Sequence, residues 1–519
     1  MCTSANSNCG VRTPGRGRIG IGLALTSLTL LVACAVGPDY QRPSAPEADT
    51  YTSGAQPEST VTAAGQMQSF ASGDAVPGAW WELFESPALD QEVNDALTHN
   101  KTLAAAKATL SVSEDQLRAG YGVFFPQVSA QAAAQRERLS LYQFGQQGKS
   151  ATFNLFTASG SVGYVLDIFG GKRRQIEALH AEADLERATA LAAYLTLTSN
   201  VVNTTIARAA YRAQIASAQD IVDATTEQIA LAQTQYDSGV IPYATVLGLK
   251  TQLASAQSSL AALELHAQQS EHLLAVLAGR TPGALRAVDV PLEDLTLPQH
   301  LPLSLPSELV RQRPDILVVE ASLHEASAQI GVATAAMLPS LSLTGSLGSA
   351  ALTLQQLGQA GGTLWSAGAG VAVPIFQGGQ LWYERQASID AYHGALADYQ
   401  QVVLTAFQQV ADTLRSLEHD AESVQAEEVG TAAAQTTMEL ARANYQAGVA
   451  DYATVLTAII QYQTARLAYV GATAQRMQDT VALYVALGGG WWNAPESNPG
   501  LQGVKPSSEG PAAAPGTDK

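Results

Sequence analysis

The feature that most constrains the fold is a short stretch that the chain contains twice. Residues 235–247 read QYDSGVIPYATVL, and residues 444–456 read NYQAGVADYATVL. Each copy ends a long alanine-rich run, places a glycine where a helix needs a left-handed residue after its last turn, and then begins a second periodic run. The stretch therefore predicts two helical hairpins, each with its tip at one copy.

The two copies lie 209 residues apart (444 − 235), a period too long for a solenoid repeat. Two other landmarks recur at similar offsets: FFPQV at 124–128 returns as MLPSL at 337–341, and LDIFGG at 166–171 returns as PIFQGG at 374–379. The two halves of the chain are therefore copies of one unit. Each unit is predicted to hold a short helix, a strand pair, a very long helix, the tip and a shorter helix. In the first unit the helix before the strand pair is expected from about Pro87 to Gly120.

The N-terminal region is typical of an export signal. Three arginines precede an apolar run from Ile19 to Val32, and the run closes with LVAC, which ends at Cys34. The run is too short to span a membrane as a mature helix. LVAC resembles a bacterial lipobox, in which the cysteine becomes the first mature residue and carries lipid. We therefore expect a signal peptide at 1–33 and lipidation of Cys34 with acyl chains such as palmitate. Ala35 follows the cysteine, where an aspartate would favour retention in the inner membrane, so we expect sorting to the outer membrane.

Composition excludes several classes of function. The formal charge of −18 becomes −21 once the three signal arginines are removed, which argues against nucleic acid as a partner. Cys2 and Cys9 leave with the signal, so a disulfide or a cysteine-based metal site is not expected. The histidines are dispersed, and no nucleophile–base arrangement or phosphate loop is present. We therefore expect no enzyme, no metal and no cofactor.

Four stretches alternate apolar with small polar residues and predict strands at about 126–135, 152–167, 340–352 and 363–376. Their length, and aromatic residues near their ends (Tyr142, Phe144, Phe153 and Trp365), fit a transmembrane barrel with an aromatic girdle. Four strands cannot close a barrel, so other copies of the chain must pair the open edges. Two copies would give eight strands with a filled interior, and three would give twelve with an open lumen.

The long helices are predicted at about 172–236 and 381–445, each roughly 100 Å long. The returning helices, at about 243–278 and 452–487, are about half that length. The uncharged stretch 188–207 is too rich in Thr, Ser and Asn for a membrane span. These helices predict a tube of antiparallel helices continuous with the strands.

The remaining boundaries follow from these elements and from composition. We expect a lipid-anchored extended segment at 34–79, a first repeat at 80–287, a Pro-rich equatorial connection at 288–314, a second repeat at 315–492 and a disordered tail at 493–519.

Several motifs in order carry a resemblance to a known family. They are VGPDY soon after Cys34, WWELFESPALDQEVNDALTHN at 80–100, RPDI at 313–316, AQIGVATAAMLPSLSLTGS at 328–346, the paired YxxGV tips, and LYVALGGGWW at 483–492. With these motifs the chain resembles the TolC-like outer-membrane efflux factors of the OprM-type lipoprotein branch, over essentially all of residues 34–492.

The resemblance implies an α+β membrane protein: a homotrimer with a twelve-stranded outer-membrane barrel, four strands per chain, continuous with a periplasmic α-helical coiled-coil barrel. It further implies a passive exit duct for drugs, metals or metabolites, and hence a part in antibiotic resistance. The expected partners are outer-membrane lipid, a periplasmic adaptor (membrane fusion protein) and an inner-membrane transporter, commonly of the resistance-nodulation-division type. The alternative is a coiled-coil structural lipoprotein of the outer membrane without a pore.

The resemblance also points to the tips, which in the family close the tunnel at rest and dilate like an iris on adaptor binding. The candidates for adaptor contact and tip packing are Tyr236, Gly239, Val240, Val246, Leu247, Tyr445, Gly448, Val449, Val455 and Leu456. Relatives often carry a carboxylate inside the second tip, but the matching position here is Thr457, with Ala453 one turn earlier. Asp451 is the acid that could supply charge to such a gate. The alternative is that these residues only shape a helical hairpin.

Overall fold

The computed structural model describes residues 35–44, 50–52, 58–140, 150–284 and 288–505. The predicted lipidation site Cys34, the signal peptide, and the girdle residues Tyr142 and Phe144 lie outside the described residues. The chain divides into two compact units. Of the described residues, the sheet unit comprises 35–40, 118–140, 150–178 and 326–392. The helical unit comprises 41–44, 50–52, 58–117, 179–284, 288–325 and 393–505.

The regular elements have the following bounds. The strands are β1 (Ser69–Ser72), β2 (Gln127–Ser140), β3 (Ser150–Leu166), β4 (His300–Leu303), β5 (Ser340–Ala351) and β6 (Thr363–Ala372). The α-helices are α1 (Pro87–His99), α2 (Lys101–Gly120), α3 (Gly171–Asp237), α4 (Tyr243–Leu277), α5 (Pro306–Gln312), α6 (Pro314–Ala336), α7 (Gln380–Gln446) and α8 (Tyr452–Ala486). Short 3-10 helices lie at Trp80–Phe84, Tyr121–Phe124, Leu292–Asp294, Leu354–Gln356, Ala360–Gly362 and Trp491–Asn493.

The sheet unit holds one antiparallel sheet in the order β2-β3-β5-β6. Its two faces differ because side chains alternate along each strand. One face carries most of the apolar residues, such as Val128, Val162 and Leu343. The other carries mainly serine, threonine, glutamine and glycine, with a few apolar residues such as Leu155 and Val165 among them. In the described strands, charged side chains occur at 136–138 near the end of β2. The sheet therefore has an uncharged polar face over most of its length.

Four serines lie in register across the polar face. Ser129 is opposite Ser161, which is opposite Ser346, which is opposite Ser366. The hydroxyl oxygens of the first two serines are 2.8 Å apart, and those of the last two are 2.8 Å apart. The same hydrogen bond thus occurs once in each repeat.

The long helices α3 and α7 each extend one residue further at both ends than predicted. Their apolar residues step by threes and fours, as in the α7 series Val403, Ala406, Val410, Leu414, Leu417, Ala421 and Val424, all of which are buried. This spacing produces a seam along which antiparallel helices pack.

No helix in the described part of the chain is long and apolar enough to cross a membrane.

The helix expected from about Pro87 to Gly120 is two helices, because Asn100 interrupts it. Its backbone is extended (φ −60°, ψ 131°), and its side-chain oxygen accepts a hydrogen bond from the Leu103 N–H at 2.9 Å. Its side-chain amide donates to the Leu277 carbonyl at 2.9 Å. Asn100 therefore caps α2 and ties it to the end of α4, where the helix pattern alone predicted continuity.

The N-terminal segment, expected to be extended, pairs with the Pro-rich connection through parallel strands β1 and β4. Gln68, which is fully buried, fixes this pairing to hairpin helix α8. Its amide donates to the Pro298 carbonyl at 3.1 Å and to the Thr480 hydroxyl at 3.0 Å, and its oxygen accepts from Arg476 Nε at 2.9 Å. The two connecting segments therefore form part of the folded helical unit.

The structure differs from the disordered tail expected at 493–519, because residues 493–505 pack onto the helical unit. The Asn498 amide donates to the Tyr194 hydroxyl at 3.1 Å, and Leu501 and Val504 are buried. A Cβ at Gly500 would lie 2.6 Å from the Tyr194 ring, so only glycine fits there. Two apolar residues in a polar segment gave too weak a pattern to predict this packing. Residues 506–519 lie outside the described range.

An acidic pair lies between the helices of the second hairpin, Asp420 on α7 and Asp479 on α8. Burial and, after it, the neighbouring Asp479 carboxyl raise the pKa of Asp420 to about 7, while Arg476 and His419 act in the opposite direction. Arg476 is 3% exposed, and its guanidinium donates to Gln68 and Thr60. Its hydrogen bonds to neutral oxygens leave the two carboxyls to share a proton.

This pair predicts a pH-dependent stability. From about pH 4 to about pH 7 the unfolded chain loses the Asp420 proton and the folded chain keeps it, so the free energy of unfolding falls as pH rises. We expect Asp420→Asn, which stays neutral, to raise Tm over wild type at about pH 7.5 and to match it at about pH 4. Asp412→Asn, an exposed acid on the same helix, serves as the control. An equal Tm change of Asp420→Asn at both pH values would contradict the shared proton.

Candidate functional site

The first hairpin is α3 and α4, and its tip, 236–243, is built on a left-handed glycine. Gly239 has φ 72°, and its N–H donates to the Tyr236 carbonyl at 2.8 Å. The Val240 N–H donates to the Gln235 carbonyl at 2.9 Å. These two bonds satisfy the last carbonyls of α3, and the glycine is required because a side chain disfavours this backbone conformation.

The second hairpin is α7 and α8, and its tip, 445–452, repeats the same geometry. Gly448 has φ 72° and donates to the Tyr445 carbonyl at 3.0 Å, and the Val449 N–H donates to the Asn444 carbonyl at 2.8 Å. The two glycines named from the sequence therefore shape the turns and present no side chain to a partner.

A tyrosine pair closes each hairpin beneath its turn. The ring centroids of Tyr236 and Tyr243 are 5.0 Å apart, and those of Tyr445 and Tyr452 are 5.1 Å apart. Beyond each pair a valine extends outward, with Val240 71% exposed and Val449 78% exposed. Each tip thus presents an apolar side chain at its end, supported by two phenol rings that contact each other at a tilt of 47° in the first hairpin and 45° in the second.

The remaining apolar candidates separate by burial. Val246, Val455 and Leu456 are buried, whereas Leu247, the repeat counterpart of Leu456, is 49% exposed. Val455 packs with Met438, Ala441 and Ala458. The three buried residues hold the hairpins together, so the residues accessible to a partner are Tyr236, Val240, Leu247, Tyr445 and Val449.

Three hydrogen bonds, here termed the hairpin link, join α8 to the last third of α3. The Tyr452 hydroxyl donates to the Glu227 carboxylate at 2.9 Å. The Gln228 amide donates to the Thr457 hydroxyl at 3.1 Å, and the Gln463 amide donates to the Asp220 carboxylate at 2.7 Å. The bonds connect the second hairpin to the first close to the tips.

The α3 members of the hairpin link are residues that the sequence analysis missed. Asp220, Glu227 and Gln228 stand at polar positions of a 67-residue helix, where many other polar side chains have the same spacing. Their role depends on which helix lies beside α3, and the sequence carries no local signal for that.

The gate candidates are already engaged in local contacts. The Asp451 carboxylate caps α8, accepting from the Thr454 N–H at 2.9 Å and from its hydroxyl, whose hydrogen bond lowers the pKa of Asp451. Thr457 donates to the Ala453 carbonyl at 2.9 Å. The structure also places the Glu227 carboxylate, which accepts a hydrogen bond from Tyr452, close to Asp451 and Thr457.

Within the described residues, no group of three or more His, Cys, Asp or Glu side chains is placed to hold a metal ion.

The different burial of the repeat counterparts gives a matched pair of variants. We expect Leu456→Ala to leave a cavity that destabilises the second tip by about 2–4 kcal/mol, and Leu247→Ala, at an exposed position, to cost far less. Hydrogen exchange of peptides covering each tip measures the local opening. Equal protection losses in the two variants would show that Leu456 does not pack as described.

Comparison with known proteins finds relatives along most of the chain. The family model of the outer membrane efflux protein matches residues 93–280 and 305–489. The chain is 32% identical over 421 residues to the pyoverdine export outer membrane protein OpmQ of Pseudomonas aeruginosa, covering 79% of this chain and 87% of that protein. It is 30% identical over 478 residues to the probable efflux pump outer membrane protein TtgC of Pseudomonas putida, covering 91% of this chain and 96% of that protein.

Solved structures agree with these matches. The outer-membrane channel OprN superposes with a TM-score of 0.76 at 26% identity, covering 88% of this chain and 100% of that one. The open state of the MtrE outer membrane channel of Neisseria gonorrhoeae shares the fold, with a TM-score of 0.75 at 24% identity and coverage of 88% and 99%.

Proposed function

The chain belongs to the outer membrane efflux protein family, and we propose that it is the outer-membrane exit duct of a tripartite efflux pump. The observation that carries this proposal is a four-stranded sheet with one apolar and one uncharged polar face, in the same chain as two matching helical hairpins. An apolar face toward lipid and a polar face toward water are what a membrane barrel requires. A coiled-coil lipoprotein without a pore would have no need of this sheet.

Three copies supply twelve strands and an open lumen, so we propose a homotrimer. The polar face then lines the lumen, where solutes meet hydroxyls, amides and glycines over most of the length of the sheet. Glu137, near the end of β2, is the charged residue of that face in the described strands. The duct is passive, and selection of the exported compound belongs to the transporter that fills it.

We propose that Cys34 carries the lipid anchor, and the residues that follow it support a fixed attachment to the sheet unit. The Val36 N–H donates to the Phe169 carbonyl at 2.9 Å. Arg174, 5% exposed, donates to the Asp39 carboxylate at 2.6 Å. A Cβ at Gly37 would lie 2.5 Å from the Cα of Gly331, so the backbone at Gly37 lies directly against α6.

We expect Cys34→Ser to abolish labelling by palmitate in cells while the protein still requires detergent for extraction, because the sheet inserts independently of the lipid. Arg174→Lys, which leaves the cysteine intact, should retain the label. Release of Cys34→Ser into the soluble fraction would support the peripheral lipoprotein instead.

We propose that the tips are the docking site for a periplasmic adaptor, itself joined to an inner-membrane transporter of the resistance-nodulation-division type. The exposed apolar side chains of the two tips supply the contact: Tyr236, Val240, Leu247, Tyr445 and Val449. Isolated apolar groups at the end of a rigid hairpin suit insertion between the helices of a partner.

We further propose that the hairpin link keeps the duct closed at rest, with Ala453, Thr457 and Asp451 at the constriction. Opening an iris of hairpins requires the second hairpin to move relative to the first, and the Tyr452–Glu227 bond opposes that movement. A hydrogen bond to a charged group stabilises by about 1.5–3 kcal/mol, and solvent around this exposed pair reduces its contribution to about 1 kcal/mol.

Tyr452→Phe removes the donor and leaves the ring pair in place. We expect it to raise the open fraction about fivefold, and cells that carry it to become more sensitive to vancomycin, a large antibiotic that the outer membrane excludes. Tyr243→Phe, the repeat counterpart, is the control. Unchanged sensitivity at equal protein levels would remove Tyr452 from the gate.

A further inference from the structure

The charged residues of the four-stranded sheet are confined to one place. In β2, β3, β5 and β6 the charged side chains are Arg136, Glu137 and Arg138, near the end of β2. In the sequence, residues 141–149, which link β2 to β3, contain one lysine and no acid, and residues 352–362, which link β5 to β6, contain no charged residue. With three bases against one acid, this end of the sheet has a net charge of +2 in a chain of net charge −18.

The three charged strand residues divide between the two faces of the sheet. Because side chains alternate along a strand, Arg136 and Arg138 continue the face that carries Val128 and Ala134, whereas Glu137 lies on the polar face. Both arginines are exposed. In the proposed barrel the apolar face meets lipid, so both guanidinium groups lie on the outer wall and the Glu137 carboxylate lies on the side of the lumen.

The position of the arginines along β2 corresponds to a membrane surface. β2 begins at Gln127, and Arg136 follows nine residues later (136 − 127). Nine residues of strand span about 30 Å, or about 23 Å along the membrane normal at the tilt of barrel strands, close to the apolar band of about 25 Å that such barrels have. Phe156, which is opposite Ala134, stands just before the arginines on the same face, as a girdle aromatic does.

This surface is the one that faces the cell exterior in the proposed duct. β2 follows α2 in the chain and β3 precedes α3, so the arginines lie at the end of this strand pair that is remote from the helices in sequence. The helices of the duct are periplasmic, which sets the arginines at the outer leaflet. In a bacterial outer membrane that leaflet is a glycolipid whose sugars carry phosphate groups.

Neither arginine has an acidic partner among the described residues. Arg138 donates from Nε and Nη2 to the Ser150 hydroxyl at 3.2 and 3.1 Å, which uses two of the five N–H donors of its guanidinium. Arg136 forms no hydrogen bond or ion pair with its side chain in the described part of the chain, and Asn154 opposite it is neutral. Most of the donors of the two guanidinium groups are therefore available to an anion from outside the chain.

We propose that Arg136 and Arg138 form a binding site for a phosphate group of an outer-leaflet glycolipid. The inference rests on the proposed function, because it needs the sheet to span the outer membrane. Alternate residues of a strand are about 7 Å apart, so two long side chains on one face can reach the same phosphate. Guanidinium groups bind phosphate oxygens through paired hydrogen bonds, and Thr152 and Asn154, opposite the arginines, add neutral donors for the sugar.

Titration of the purified full-length protein with lipid A, a glycolipid that carries phosphate on its sugars, tests the site. The comparison lipid is the same preparation after enzymatic removal of the phosphates. Native mass spectrometry in detergent gives the dissociation constant of each lipid and the oligomeric state of the protein in one measurement.

The site variant is Arg136→Gln with Arg138→Gln. Glu137→Gln, between the two arginines on the other face, controls for local changes of charge. Lys101→Gln with Arg442→Gln makes the same change of net charge as the site variant, at exposed positions of the helical unit.

We expect the site variant to bind phosphorylated lipid A about tenfold more weakly than wild type, because two charge-assisted contacts at an exposed surface are lost. Both control variants should match wild type, and the dephosphorylated lipid should bind wild type and site variant equally. Equal affinity of wild type for the two lipids would overturn the site. Displacement of lipid A by inorganic phosphate at the same phosphate concentration would assign the arginines to a free anion and overturn the lipid.

The remaining outcomes separate the site from the duct. An equal loss of affinity of the site variant for both lipids would show that the arginines only hold the end of the hairpin, and would overturn the site. Trimers that conduct in planar bilayers but bind lipid A without regard to its phosphates would overturn the site and leave the duct intact. Protein that forms neither trimers nor pores would overturn the proposed function itself.

Discussion

The structure depends on one constraint: a sheet inside a membrane cannot leave backbone N–H and C=O groups unpaired. Four strands satisfy each other internally and leave an edge at β2 and an edge at β6. Because these two edges need partner strands, further copies of the chain must close the barrel. A barrel of twelve strands is wide enough to leave an open lumen. The polar face, uncharged over most of its length, then becomes the wall of a duct. Export through such a duct is the function of the outer membrane efflux protein family.

The internal repeat gives two similar halves that meet different surroundings. Leu247 and Leu456 occupy the same position in the two tips, yet Leu247 is exposed and Leu456 is buried. The Phe169 carbonyl accepts a hydrogen bond from the Val36 N–H, whereas the Phe376 side chain is exposed. The two hairpins are therefore not equivalent, and the hairpin link joins α8 of the second hairpin to α3 of the first.

Much of this architecture is readable from the sequence because it depends on local patterns. The left-handed Gly239 and Gly448, the long helices and the alternating strands each have a signal within a few residues, and the structure places the long helices within one residue of the expected bounds. The break at Asn100, the β1–β4 pairing and the Tyr452–Glu227 bond depend on residues distant in sequence. Their polar side chains look like any solvated position until the neighbouring helix is known.

The most direct test of the account is the unitary conductance of the purified full-length protein in planar bilayers, with the oligomeric state measured on the same preparation. We expect trimers that conduct in brief or small openings, because the proposed gate at the tips would hold closed a lumen that is open through the sheet. Inserted trimers that never conduct, even after the hairpin link is removed, would contradict a duct gated at its tips.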